Sequence, residues 1–216
     1  MEASFQRARR PEQKDQRREM ILAAARRLAD DAGVARVSLG DIAAAVGLAK
    51  SNVLRYFGTR EEIYLQLAMR DGADWAEAAI TGLRPASGFA AVAAVLADTF
   101  ADRPRYCDLT THAETMLEQN VSVEALRVYK VWAIDTYLTV GRHIATAEPR
   151  LTDRDGAALV MASSAFVAKL FPLTRPSAAL RELYDREPQI ARAFPPFRPT
   201  LQRMIAATAA GMPQAR

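Results

Sequence analysis

The sequence has few of the residues from which catalytic and metal sites are usually built. It contains two histidines, His112 and His143, and a single cysteine, Cys107. Cys107 and His112 lie five positions apart, on different faces of a helix, so they do not form a pair of metal ligands. There is also no glycine-rich phosphate loop and no nucleophile-elbow motif. We therefore predict that the protein is not an enzyme and holds neither a metal nor a cofactor.

Long apolar runs are missing as well. The longest uncharged stretch, residues 156–168, is interrupted by Ser163 and Ser164, and it is shorter than the roughly 20 residues that cross a bilayer. The N-terminal segment is charged, unlike a secretory signal, and one cysteine cannot form an internal disulfide. These absences predict a cytoplasmic protein with no membrane partner.

What the sequence does have is positive charge concentrated at one end. Residues 1–60 hold 12 of the 29 Lys and Arg residues but only 7 of the 25 Asp and Glu residues, so this segment carries a net charge of +5 and the remainder −1. Such an asymmetry favours a polyanionic partner for the N-terminal segment alone.

Almost every local pattern is helical. Half of the residues are hydrophobic, alanine is prominent among them, and aromatic residues make up only 7%, which favours helices over strands. Residues 1–13 contain Pro11 and several arginines without apolar periodicity, which predicts a flexible basic arm. Apolar residues then recur at helical spacing from Lys14 to Asp31. We predict an all-α fold, with further helices near 61–82, 89–101, 105–118, 122–147, 153–170, 178–184 and 198–210.

Residues 38–62 combine two helix-start signals with a tight turn. Ser38 and Asp41 fit a capping box, as do Thr59 and Glu62, and Gly47 can adopt the left-handed conformation of a turn between two short helices. Apolar residues stand where the two helices would pack on each other and on the first helix: Ile42, Val46, Leu48, Val53 and Tyr56. This spacing predicts a helix-turn-helix.

The second helix of this pair, predicted from Lys50 to about Phe57, carries mostly hydrogen-bonding side chains on its outer face. These are Lys50, Ser51, Asn52, Leu54 and Arg55. Groups of this kind read base edges in the major groove or bind phosphates. The predicted domains are therefore the arm over 1–13, a three-helix DNA-binding domain over 14–60 and a helical domain over 61–216.

The same stretch resembles a known family. DIAAAVGLAKSNVLRYF, residues 41–57, and the following TREEIY are similar to the N-terminal DNA-binding domain of the TetR (tetracycline-repressor-like) family of bacterial transcriptional regulators, and the resemblance covers about residues 14–65. It implies an all-helical homodimer whose C-terminal domain binds an unknown small-molecule effector. Because a two-fold pair reads a palindrome, we hypothesise that the protein is a repressor that the effector releases from a palindromic double-stranded DNA operator.

The resemblance further implies roles for single residues. Ser38 would cap a helix near a phosphate, Tyr56 would contact a phosphate, and Arg60 would touch the DNA backbone at the start of the fourth helix. Lys50, Ser51, Asn52 and Arg55 would make the remaining base and phosphate contacts. Ala49 stands where the family often has Ser or Thr, and Leu54 stands where it often has Tyr. The operator sequence therefore cannot be transferred from relatives. For Arg7, Arg9 and Arg10 of the arm, nonspecific attraction to DNA is favoured over insertion into a minor groove.

Two sets of C-terminal residues are candidates for the effector pocket and the dimer interface. Apolar and aromatic residues, with His112 as a polar group, are predicted to line the pocket: Tyr106, Leu109, His112, Met116, Trp132, Tyr137, Met161 and Phe166. Stripes at three- and four-residue spacing predict an interface made by the last two long helices: Leu159, Ala162, Ala165, Phe166, Leu201, Met204, Ile205 and Thr208. An intrachain core explains these stripes nearly as well. The alternative function is an all-helical small-molecule carrier or enzyme with an incidental basic N-terminus.

Overall fold

Helices account for all the regular secondary structure in the residues that the computed structural model describes, 2–193 and 196–215. The prediction of an all-α fold is confirmed. In chain order the α-helices are α1 (Glu2–Ala32), α2 (Leu39–Ala45), α3 (Lys50–Leu54), α4 (Arg60–Leu83), α5 (Phe89–Ala101), α6 (Pro104–His112), α7 (Val123–Ala147), α8 (Asp153–Leu170), α9 (Ala178–Arg186), α10 (Pro188–Arg192) and α11 (Phe197–Gly211). A π-helical turn, Ala113–Leu117, follows α6.

Helix α1 is longer than the sequence pattern predicts. It is helical from Glu2 onward, where a flexible arm is expected over 1–13. The expectation rests on Pro11 and on the missing apolar stripe. A stripe is needed to bury a helix but not to continue one, because adding residues to an existing helix costs far less free energy than starting it. The C-terminal half of α1, which packs into the first unit, nucleates the helix.

The helices group into two units. The first comprises Met1–Met69 and His112–Tyr129, and the second comprises Arg70–Thr111 and Lys130–Arg216. Helices α4 and α7 each contribute residues to both units. The boundary predicted after residue 60 therefore leaves out residues 61–69 and 112–129 of the first unit. The second of these segments is joined to the first unit by contacts between residues about 60 positions apart, such as the one from Ser122 to Glu62, which no local pattern indicates.

Capping boxes define the starts of α2 and α8. The Ser38 hydroxyl accepts a hydrogen bond from the Asp41 amide at 3.2 Å, and the Asp41 carboxylate accepts one from the Ser38 amide at 2.8 Å. Thr152 and Asp155 repeat both bonds at the start of α8. The capping box predicted at Ser38 is confirmed.

The core of the second unit is built around three stacked or tilted aromatic rings. Trp75 of α4 lies 4.6 Å from Phe100 of α5 and 5.7 Å from Tyr106 of α6, measured between ring centroids. Helix α11 adds the fully buried Leu201 and Ile205 to the same core. These rings contribute both apolar burial and favourable ring–ring geometry.

Helices α7 and α8 approach each other backbone to backbone at two glycines. A Cβ added to Gly156 would lie 2.2 Å from the carbonyl oxygen of Gly141. A Cβ added to Gly141 would lie 2.5 Å from the amide nitrogen of Ala157. Only glycine fits at either position without moving a helix.

The segment Asp153–Thr174, which contains α8, is long and apolar enough to resemble a membrane span by length and composition. In the second unit, however, Leu159, Val160 and Val167 of this helix are fully buried in the core. Packing in the core therefore accounts for part of its apolar composition, since 39% of the apolar window is buried.

The single cysteine provides a test of the second unit's packing. Cys107 is fully buried, its thiol donates to the Phe100 carbonyl at 3.2 Å, and burial raises its pKa from 9.0 to about 12. At pH 8 we expect the pKa shift alone to slow thiol labelling of the native protein by about 1,000-fold relative to the urea-unfolded protein, because the thiolate is the reactive form. Labelling with a chromogenic disulfide reagent measures this ratio. Equal rates in the two states would contradict the buried position.

Candidate DNA-binding site

The helix-turn-helix forms as its sequence predicts. Ile42, Ala43 and Val53 are buried. Gly47 has a φ of +65°, which is the left-handed conformation expected for the turn. The amides of Gly47 and Leu48 donate to the carbonyls of Ala44 and Ala43, so the turn closes α2 before α3 begins.

Helix α3 turns one residue inward and the others to solvent. Val53 is fully buried, whereas Lys50, Ser51, Asn52, Leu54 and Arg55 are all exposed. Ala49, at the position before the helix, makes no side-chain cap, as expected for alanine. The predicted recognition face is thus a single exposed surface on a helix that is anchored by Val53.

Ser38 and Lys50 come together at the start of α2. The Ser38 hydroxyl and the Lys50 ammonium lie 3.3 and 3.2 Å from the position that a Cβ on Gly40 would occupy. The pKa of Asp41 is lowered mainly by the backbone hydrogen bond from Ser38, then by the Ser38 hydroxyl, with a smaller effect of the Lys50 charge. The Ser38 hydroxyl donates to the Asp41 carboxylate at 2.7 Å, so the Lys50 ammonium, rather than this hydroxyl, is the donor that suits a phosphate oxygen here.

Arg60, which is predicted to contact DNA, is held by contacts within the first unit. Its guanidinium donates to the carbonyls of Val37 and Val34, pairs with Glu61 at 2.9 Å and stacks on the Tyr64 ring at 4.7 Å. Its side chain is only 13% exposed. The planar five-donor fork is therefore used within the protein, and the contact between Arg60 and DNA stays a prediction.

Tyr56 and Phe57 at the end of α3 are held by α1. The Arg18 guanidinium donates to the Tyr56 carbonyl and lies 4.2 Å above the Phe57 ring. Phe57 is buried and Tyr56 is half-buried. Tyr56 also lines a groove of about 660 Å³ together with residues of α1 that sequence reasoning missed: Gln13, Lys14, Gln16, Arg17 and Met20.

Glu62 joins the turn after α3 to the segment 112–129. The Thr59 hydroxyl accepts from the Glu62 amide at 3.1 Å, as predicted. The Glu62 carboxylate instead accepts from the Gly58 amide at 2.9 Å and from the amide and hydroxyl of Ser122 at 3.1 and 2.8 Å. Desolvation raises its pKa, but the hydrogen bonds from Ser122 and Gly58 outweigh it and leave the pKa below its usual range.

The residues predicted for the effector pocket do not form one group. His112 and Met116 belong to the first unit, where the Met116 sulfur lies 3.8 Å from Arg60. Met161 is 59% exposed because it lies on the outer face of α8. The assignment of these three residues to the effector pocket stays a prediction.

The other predicted pocket residues lie in the second unit. Tyr106 and Leu109 are buried, and Phe166 is partly buried against the core. The Tyr137 hydroxyl lies 3.3 Å from the Ser164 hydroxyl. Tyr106 and Trp132 both pack on Gly72 of α4, where a Cβ would lie 3.0 and 2.4 Å from their rings.

The residues predicted for the dimer interface fall into a buried group and a group that is at least partly exposed. Leu159, Leu201 and Ile205 are fully buried in the second unit, so they belong to the subunit core and have no surface to offer a partner. Ala165 is exposed, and the remaining four are partly exposed: Ala162, Phe166, Met204 and Thr208. Three- and four-residue stripes arise equally from a core face and from an interface face, and burial distinguishes the two.

Comparisons with known proteins agree with this architecture. The family model described as "Bacterial regulatory proteins, tetR family" matches residues 21–67, and the one described as "Tetracyclin repressor-like, C-terminal domain" matches residues 69–216. No protein with a curated function is similar enough in sequence to count as a match.

Comparison with solved structures gives two matches of different strength. The fatty acid degradation regulator FadR from Bacillus halodurans has 13% sequence identity and a TM-score of 0.52, with 91% of this chain and 94% of that chain covered. A putative transcriptional regulator from Streptomyces coelicolor A3(2) has 22% identity and a TM-score of 0.45, with 92% and 97% covered. The two family models together match nearly the whole chain, and their N-terminal match contains the exposed face of α3: the protein belongs to the TetR family of DNA-binding transcriptional regulators.

Proposed function

We propose that the protein is a homodimeric repressor that binds a palindromic operator and is released from it by a small-molecule effector. The observation that carries this proposal is the exposed face of α3, in which Lys50, Asn52 and Arg55 project from a helix anchored by the buried Val53. Amide and guanidinium groups on such a helix distinguish bases in the major groove. The repressor acts in the cytoplasm, where bacterial DNA lies.

The effector site lies beside the aromatic rings of the second unit. Its support is the indole N–H of Trp75, which is buried and has no acceptor within the part of the chain that the structure describes. Leaving a buried donor unpaired costs about 1–3 kcal/mol, which a ligand acceptor would recover. Phe100 and Tyr106 flank this indole. We therefore expect an apolar effector that carries at least one hydrogen-bond acceptor.

Glu62 is the residue through which a change in segment 112–129 would reach α3. Its carboxylate holds both Ser122, which precedes α7, and Gly58, which follows the recognition helix. An effector that binds better to a conformation lacking these bonds would also disfavour DNA, because binding at two coupled sites is reciprocal.

Dimerisation supplies the specificity that a five-residue recognition helix lacks. A two-fold pair reads two half-sites separated by about 34–36 Å or a multiple of it. The outer face of α8 is proposed as part of the interface. Met161 is 59% exposed there, and the exposed Ala165 and partly exposed Ala162 are small enough for a partner helix to approach closely.

The test of the proposed function removes the recognition face. A preferred duplex is first selected from random sequence with the wild-type protein. The variant Lys50→Ala/Asn52→Ala/Arg55→Ala should bind this duplex roughly 1,000-fold more weakly, since each base contact is worth about 1–3 kcal/mol, and fluorescence anisotropy measures the affinity.

The matched control is Arg84→Ala/Gln189→Ala/Arg192→Ala, which removes a similar set of exposed side chains outside the site and outside α8, and should leave the affinity unchanged. Circular dichroism verifies that both variants are folded. A folded recognition-face variant with wild-type affinity would refute the proposed function.

A further inference from the structure

The first unit contains a cavity of about 270 Å³. Its walls come from α1, the segment that follows α3, the start of α4 and the start of α7, and every residue that lines it belongs to the first unit. Pockets for drug-sized ligands measure roughly 300–1,000 Å³. The cavity therefore suits a smaller organic molecule.

Part of the cavity wall is apolar. Phe57 and Leu65 are buried, and Met69 and Ala125 are half-buried. Val128 of α7 also lines the cavity and is 44% exposed. Covering an aliphatic side chain of this kind is favourable because it removes apolar surface from water. A ligand for this cavity thus needs an apolar body.

Two carboxylates line the same cavity. Glu62 accepts three hydrogen bonds, from the amide and the hydroxyl of Ser122 and from the amide of Gly58. A carboxylate has about four acceptor positions, so Glu62 retains one for a further donor. Glu124 pairs with Arg127 at 3.9 Å, but both side chains are mostly exposed, and such pairs contribute little. Both carboxylates can therefore pair with a cationic ligand.

One cation, Arg18, lines the cavity as well. Its guanidinium donates to the Tyr56 carbonyl and lies 4.2 Å above the Phe57 ring, so it is already engaged within the protein. With Glu62 and Glu124 against Arg18, the charged residues that line the cavity have a net charge of −1. This balance favours a cation over an anion.

We infer that this cavity binds a small organic cation, whose primary ammonium group pairs with Glu62 and Glu124 and whose apolar body covers Met69 and Val128. An ammonium carries three donors, and charge-assisted hydrogen bonds are roughly twice as strong as neutral ones. The site lies in the first unit, whereas the effector site is proposed in the second. Binding here needs no DNA, so the site does not depend on the proposed function.

Methionine methyl NMR tests the site in the full chain. The Met69 signal, assigned with Met69→Leu, should shift and saturate as phenethylammonium is added. The signal of Met161, which is exposed in the second unit, should not move. The neutral phenethyl alcohol should bind about tenfold more weakly, because it lacks the charge-assisted hydrogen bond, and the anionic hydrocinnamate should bind more weakly still.

Two variants, each with a matched control, locate the ligand. Ala125→Leu extends a side chain that lines the cavity and should abolish the Met69 shift, whereas Ala179→Leu, at an exposed position of α9, should not. Glu62→Gln should weaken phenethylammonium binding by about tenfold, since it removes the charged acceptor. Glu114→Gln removes an exposed carboxylate outside the cavity and should leave binding unchanged.

The absence of a saturable Met69 shift in the wild-type protein would overturn the site, and so would an equal shift in Ala125→Leu. Equal movement of the Met161 signal would indicate nonspecific binding and would also overturn it. Phenethyl alcohol or hydrocinnamate binding as tightly as phenethylammonium would refute the assignment to a cation. This comparison of three ligands uses the wild-type protein, so it is decisive even if Glu62→Gln does not fold.

Discussion

Replacing Gly156 with alanine should lower the free energy of unfolding by about 3 kcal/mol, at the upper end of the usual range for overpacking. The new Cβ would lie 2.2 Å from the carbonyl oxygen of Gly141. That atom belongs to the backbone of α7, so it cannot rotate away as the end of a long side chain could. Helices α7 and α8 would have to separate, and the buried Val140 and Leu159 beside the crossing would lose contacts.

Urea titration followed by tryptophan fluorescence measures this loss. Both tryptophans, Trp75 and Trp132, lie in the second unit, so the signal reports the unit that contains the two glycines. Gly211→Ala is the matched control, since a Cβ at Gly211 meets nothing within 4 Å. It should change stability by between zero and about +1 kcal/mol, because alanine has the higher helix propensity. Equal midpoints for Gly156→Ala and wild type would show that the helices do not cross this closely.

Replacing Arg60 with alanine should destabilise the first unit by about 2–4 kcal/mol, since it removes several charge-assisted hydrogen bonds at once. The carbonyls of Val34 and Val37 would each lose the guanidinium as a donor, and the Tyr64 ring would lose its stacked cation. Val34, Val37 and Tyr64 are buried, so water replaces the missing group poorly. The first unit contains no tryptophan, so amide hydrogen exchange is the appropriate measurement.

The same variant distinguishes an internal role for Arg60 from the DNA contact that the resemblance implies. At a temperature where Arg60→Ala remains folded, the salt slope of DNA binding should equal that of wild type, because no phosphate contact is lost. Arg60→Lys should recover only part of the stability, since an ammonium cannot reproduce the planar fork. A stable Arg60→Ala protein with a slope reduced by about 1 per subunit would restore the DNA contact instead.

Local chemistry was sufficient to predict most helix boundaries. The segments expected at 89–101 and 153–170 are helices α5 and α8 at the same bounds, because capping residues, glycines and prolines act on their immediate neighbours. The predicted helices do not include the short α10, although its Pro188 is well suited to the first turn of a helix. The exposed face of α3 was predicted because helical periodicity alone turns Asn52 about 100° and Arg55 about 160° away from Val53.

The sequence by itself determined the helices, the turn at Gly47, the concentration of positive charge near the N-terminus and the set of side chains on the recognition helix. Only the tertiary structure decided that Arg60 donates to carbonyls 23 and 26 positions away and that Glu62 accepts hydrogen bonds from Ser122. It also decided that Leu201 and Ile205 are core residues of the second unit. The reason is physical. Capping and helical periodicity depend only on residues within one or two helical turns. The partner of a long charged side chain depends instead on which distant segment the fold brings beside it, and so does the burial of an apolar stripe.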